Sequence, residues 1–154
     1  MNLDLETGSE EETVRLGKRL GSRLKGGEVI TLSGPLGAGK TSFAKGVGEA
    51  LRIPSKEMPS PTFILRAEHE GRLPLAHIDL YRIDSPAEVE RLGLFEQEEP
   101  LTVLLIEWPE NARSILPPER VEITISPVGE TQRRITIAGI GNPFTDLLND
   151  LKKR

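Results

Sequence analysis

Gly34-Pro35-Leu36-Gly37-Ala38-Gly39-Lys40-Thr41 is the stretch that most narrows what this chain can fold into. It spells G-x-x-x-x-G-K-[ST], a phosphate-binding loop of Walker A type, which carries meaning only between a strand and a helix. Both neighbours are present. Residues 28–33 are apolar and β-branched and predict a buried strand. Residues 40–52 place Phe43, Ala44, Val47, Ala50 and Leu51 at helical spacing. Glycines let consecutive backbone N–H groups curl around an anion, because a residue without Cβ reaches φ values closed to others. Lys40 then sets a compact positive charge on the outer phosphates, and the Thr41 hydroxyl can ligate Mg²⁺. The helix start aims its dipole and free N–H groups at the same phosphates. The expected nucleotide contacts are thus Pro35, Leu36, Gly37, Ala38, Gly39, Lys40, Thr41 and Ser42. A ligand-free glycine turn is the bland alternative, and the strand–loop–helix context argues against it.

A chain of 154 residues fits one domain, residues 1–154, with a core of its own. Apolar residues make up 36% and charged residues 29%, the balance of a folded protein rather than a disordered one. There is no cysteine, which excludes disulfides and thiolate metal sites. No apolar run reaches the length of a membrane span, and the opening residues are acidic, unlike a secretory signal, so a cytoplasmic protein is expected. The net charge of −4 argues against tight, autonomous binding to nucleic-acid phosphates.

Residues 1–8 are polar and predict a short extended lead-in. Ser9 and Glu12 form a capping-box pattern ahead of a helix with Leu16, Leu20 and Leu24 on one line, ended by Gly26-Gly27. Its basic residues, Arg15, Lys18, Arg19, Arg23 and Lys25, read as a solvated face. Residues 62–67 and 75–81 predict a strand pair around Glu70-Gly71-Arg72. Ser85-Pro86-Ala87-Glu88 opens a helix to about Leu92, with Gly93 as its stop. Residues 101–106 form the most hydrophobic run, a central strand. Residues 121–125 and 134–137 alternate as an antiparallel hairpin at a sheet edge, and Asn142-Pro143 caps a last helix carrying Leu147, Leu148 and Leu151. The order predicts an α/β fold: one three-layer P-loop NTPase domain, its central sheet mixed but mostly parallel.

Hydrolysis of a triphosphate needs more than a cradle; Mg²⁺ must be held and the attacking water oriented. Glu107 closes the run Val103-Leu104-Leu105-Ile106, four apolar residues and then an acid, which is how a sheet delivers a carboxylate to a metal. Asp79 ends the other apolar strand, although Arg82 could simply pair with it. Thr62 could sense the terminal phosphate as a switch-type hydroxyl or be a plain turn residue. Trp108, beside Glu107, suits a site wall as well as packing. His69 and His77 lack metal-ligand spacing and read as structural or surface residues.

Four segments together resemble the TsaE (YjeE) family of ATPases: the loop itself, Ser60-Pro61-Thr62-Phe63, Asp79-Leu80-Tyr81-Arg82 and Glu107-Trp108-Pro109-Glu110. The likeness covers nearly the whole chain. It implies an ATP- and Mg²⁺-dependent hydrolase needed for threonylcarbamoylation of adenosine 37 in tRNA. Such a protein works with TsaB and TsaD, permits repeated turnover of their transferase, and touches tRNA through that complex. It is expected to be monomeric alone and slow in hydrolysis without partners. Residue by residue, the resemblance gives Lys40 to the phosphates and Thr41 and Glu107 to Mg²⁺. Asp79 and Thr62 fall near the terminal phosphate, and Trp108 and Thr13 at nucleotide contacts. Of Arg133 and Arg134 one should reach the nucleotide, Arg134 being the expected contact. One departure is Pro35, where many relatives carry an acid; if that acid places water or metal, hydrolysis here is slower or differently arranged.

Two other classes remain open from the residues. A small-molecule kinase would need an arginine-bearing lid, for which residues 109–120 are short and rich in proline. A non-catalytic nucleotide sensor would bind without turnover, and a Glu107 variant would discriminate it.

Overall fold

The computed structural model describes residues 2–54, 65–97, 99–141 and 145–152. Seven strands form one sheet in the order β1-β7-β6-β2-β5-β4-β3. The strands are β1 (Asn2–Thr7), β2 (Val29–Ser33), β3 (Arg66–His69), β4 (Leu75–Asp79), β5 (Val103–Glu107), β6 (Arg120–Pro127) and β7 (Arg133–Ile140). The helices are α1 (Glu10–Gly21), α2 (Lys40–Ala50), α3 (Pro86–Leu92) and α4 (Thr145–Lys152), and Pro109–Ile115 is a 3₁₀ segment. Strands β6, β2, β5 and β4 run parallel, and both flanks are antiparallel. The expected three-layer α/β fold with a parallel centre is what the chain adopts.

Burial explains why the centre is parallel. Every residue of β4 and β5 is buried, as expected for strands covered on both faces. Period-two alternation then sorts their side chains. Leu75, Val103 and Leu105 pack with Leu16, Leu20, Phe43 and Val47 beneath α1 and α2. Ala76, Ile78, Leu104 and Ile106 pack with Val89, Ala112 and Leu116 on the other side. Helices α1 and α2 approach until backbones touch: a Cβ at Gly46 would fall 2.0 Å from the Val14 carbonyl.

The ends of the elements follow the sequence signals only in part: α1 stops at Gly21 with Ser22 as its C-cap, short of the expected Gly26-Gly27. Ser9 caps α1 by accepting from the Glu12 N–H at 3.2 Å, while the Glu12 carboxylate accepts from Gly8. Gly93 ends α3 with φ 64°, but Ser85 caps it without a side-chain bond. Residues 2–7 are not a lead-in: they form the outermost strand, paired antiparallel with β7. The hairpin β6–β7 is antiparallel as expected, but β1 covers its outer side, so the edge lies one strand further out. Alternating Leu3, Leu5 and Thr7 turn toward the core while Asn2, Asp4 and Glu6 are exposed. The proposed Asn142-Pro143 cap lies outside the described residues. Among them, no helix is long and apolar enough to cross a membrane.

Candidate functional site

The loop leaves β2 after Ser33 and enters α2 at Lys40. Its last glycine, Gly39, is the N-cap of α2 with φ 108°. A Cβ there would meet only ordinary contacts, so backbone conformation and not space requires glycine. With no side-chain cap on α2, the first N–H groups of the helix are left for a ligand. They face a cavity of about 570 Å³ whose lining includes Gly37, Gly39, Lys40, Thr41 and Ser42.

Two carboxylates meet the loop because of strand order. Strand β5 lies beside β2, with Glu107 opposite Leu32, and β4 lies beside β5, with Asp79 opposite Glu107. Both acids close their strands, are nearly inaccessible, and line the same cavity as Lys40. The Tyr81 N–H donates to Asp79 Oδ1 at 2.8 Å. Glu107 Oε2 lies 2.6 Å from His77 Nε2, both side chains buried. Lys40 Nζ donates to the Gly34 carbonyl at 2.6 Å and stands 3.5 Å from the centroid of the Trp108 ring. Burial pushes the Lys40 ammonium below its usual range, opposed by the negative charges of Glu107, Glu110 and Asp79.

Trp108 holds its place through strain. It adopts φ 58° directly after Glu107, at a cost of about 1 kcal/mol or more for a bulky residue. Its N–H donates to the Leu32 carbonyl at 3.3 Å, and its ring tilts against Tyr81 at 4.9 Å. Both aromatics line the cavity. Thr13, buried in the wall, bonds Oγ1 to Oγ1 with Thr7 at 2.8 Å.

The structure therefore gathers Thr13, Leu36, Gly37, Gly39, Lys40, Thr41, Ser42, Asp79, Glu107 and Trp108 around one cavity. Others fall elsewhere. Ala38 has its methyl in the core. Pro35 is absent from the lining and has no N–H to offer; its carbonyl accepts from Ala38 at 3.1 Å instead. Thr62, with Ser60, Pro61 and Phe63, lies outside the described residues. Arg134 needs correction. It sits on the face of β7 turned away from the loop, pairing with Glu6 at 3.5 Å. Arg133, one residue earlier, points to the opposite face and lines the cavity. Its Nε donates to the Ala38 carbonyl at 2.9 Å, and its other nitrogens bond Gly37, Gly129, Glu130 and Gln132 carbonyls. Holding the Ala38 carbonyl outward in this way leaves the Gly39 N–H of the same planar peptide to turn inward. Tyr81, from the segment Asp79-Leu80-Tyr81-Arg82, and Glu10, Glu130 and Thr131, which no motif marks, complete the lining.

A family model described as threonylcarbamoyl adenosine biosynthesis protein TsaE matches residues 7–135. The chain belongs to the TsaE family. A Bacillus subtilis (strain 168) member, named tRNA threonylcarbamoyladenosine biosynthesis protein TsaE, is 40% identical over 152 residues, covering 98% of this chain and 94% of its own. The TsaE protein of Treponema pallidum (strain Nichols) is 40% identical over 130 residues, 84% of this chain and 96% of its own. The crystal structure of Bacillus subtilis YdiB superposes with a TM-score of 0.80 at 34% identity, covering 99% of this chain and 95% of that one.

Proposed function

We propose that this TsaE-family chain is a magnesium-dependent ATPase of tRNA threonylcarbamoyladenosine biosynthesis, acting on a TsaD–TsaB transferase so that it can turn over repeatedly. The observation that carries the reading is the convergence of Lys40, Thr41, Asp79 and Glu107 on one cavity beside the glycine loop. The loop N–H groups and the start of α2 bind the phosphates. Lys40 leaves the Gly34 carbonyl and the Trp108 face for the outer phosphate oxygens, where its charge is better matched. Asp79, buried at the end of β4, orients a water in line with the terminal phosphorus. Attack forms a bond from that water's oxygen to phosphorus, the bond to the bridging oxygen breaks, and ADP and phosphate result.

Among the described residues no three His, Cys, Asp or Glu side chains gather into a cage for a metal ion. A hydroxyl and a carboxylate beside a phosphate cradle is instead the donor set that suits Mg²⁺, which keeps few protein ligands and shares the substrate's phosphates. Thr41 and Glu107 would hold it, and when bound it neutralises charge developing on the phosphate oxygens.

Calorimetric titration of the native chain with ATP, with and without Mg²⁺, tests the reading together with a phosphate-release assay in the presence of TsaD and TsaB. Magnesium-dependent uptake of ATP and slow release of phosphate, altered by the partners, are expected. No uptake of adenine nucleotide would end it. Transfer of phosphate to an added acceptor in preference to water would favour a kinase instead.

A further inference from the structure

Behind Glu107 lies an imidazole that this chemistry does not use. His77 sits in the middle of β4, opposite Leu105 across the parallel ladder, and is 1% exposed. Its Nε2 lies 2.6 Å from Glu107 Oε2. Glu107 lines the cavity and His77 does not, so the ring reaches the carboxylate from the core side. A carboxylate only accepts, which puts the proton of this bond on Nε2. Nδ1 is buried and has no hydrogen-bond partner among the described residues.

We propose that His77 is a positioning residue for Glu107: its Nε2–H fixes one carboxylate oxygen from behind and leaves the other to serve the site. The proposal rests on the reading of Glu107 as the carboxylate that serves Mg²⁺. The backbone of Glu107 is already fixed by its neighbours Leu32 and Asp79 in the ladder. Its side-chain torsions are the freedom that remains, and the terminal one is intrinsically broad. One short bond from a ring rigidly seated in the sheet removes it. A ligating carboxylate held by an outer partner is a recurrent way of orienting metal ligands.

The test uses the full chain with ADP and Mn²⁺ as a paramagnetic stand-in for magnesium. His77→Gln places an amide donor near the position of Nε2, whereas His77→Asn, one methylene shorter, falls short of Glu107. The Asn variant should weaken Mn²⁺ binding to the ADP complex, read by electron paramagnetic resonance, roughly 10–100-fold. Its affinity for metal-free ADP should stay within about threefold of the parent. The Gln variant should recover most of the Mn²⁺ affinity. Nitrogen-15 spectra of the unaltered chain should show a proton on Nε2 of His77. Should His77→Asn fail to fold, this measurement decides by itself. Equal Mn²⁺ affinity in both variants, equal losses of metal and nucleotide binding, or a proton on Nδ1 in place of Nε2 would overturn the role. Failure of Glu107→Gln to disturb Mn²⁺ binding would instead strike the ATPase reading beneath it.

Discussion

The two halves of the cavity are built from different materials. On one side the loop presents backbone: Gly37 and Gly39 supply conformation, Arg133 ties off carbonyls, and the Leu36 side chain stands 73% exposed. On the other side the ends of β4 and β5 present side chains, Asp79 and Glu107, each almost wholly buried and fixed by ladder register. A backbone-built half tolerates changes of side chain but not of φ; a side-chain-built half tolerates neither loss nor neutralisation of its charged groups. Lys40 bridges the halves, rooted in the loop's helix and lying against Trp108 of the other side.

This contrast can be broken at several points. The largest effect is expected from Gly39→Val, which forces a β-branched residue to φ 108°. Nucleotide affinity by calorimetry should fall roughly 100-fold, about 3 kcal/mol. Glu107→Gln should behave oppositely, cutting turnover by about two orders of magnitude while metal-free nucleotide binding stays near that of the parent. If both variants lose binding alike, the division into halves is wrong. Arg133→Ala should cost about tenfold in nucleotide affinity, since it removes charged donors from two loop carbonyls. Arg134→Ala should change it little. Lys40→Met should raise the ligand-free melting temperature by roughly 2–4 °C, near 1 kcal/mol, by removing a desolvated charge from the cavity wall. The smallest effect belongs to Leu36→Ala, expected to alter nucleotide affinity by less than about twofold.

The half that is a motif was legible in the residues. Six-residue spacing from Gly34 to Lys40, a β-branched run before it and a helical pattern after it locate the loop without any tertiary knowledge. The acids were legible as strand ends, because an apolar run closing on a carboxylate has few other meanings in an α/β sheet. What was hidden depends on register. His77 and Glu107 are thirty residues apart and become partners only when β4 and β5 align. Arg133 and Arg134 differ by one step, which in a strand exchanges one face for the other, and nothing local says which step faces the loop. The first strand was hidden by its own charge: Asp4 and Glu6 masked the alternation of Leu3, Leu5 and Thr7.

That first strand has a practical bearing on the far end of the molecule. Its final residue, Thr7, is paired in the ladder with Arg133 and shares a hydroxyl bond with Thr13 in the cavity wall. Trimming the opening six or seven residues as dispensable, or burying them under a fusion partner, would therefore loosen two of the groups that line the cavity, and a shortened protein that folds well could still carry a poorly formed site.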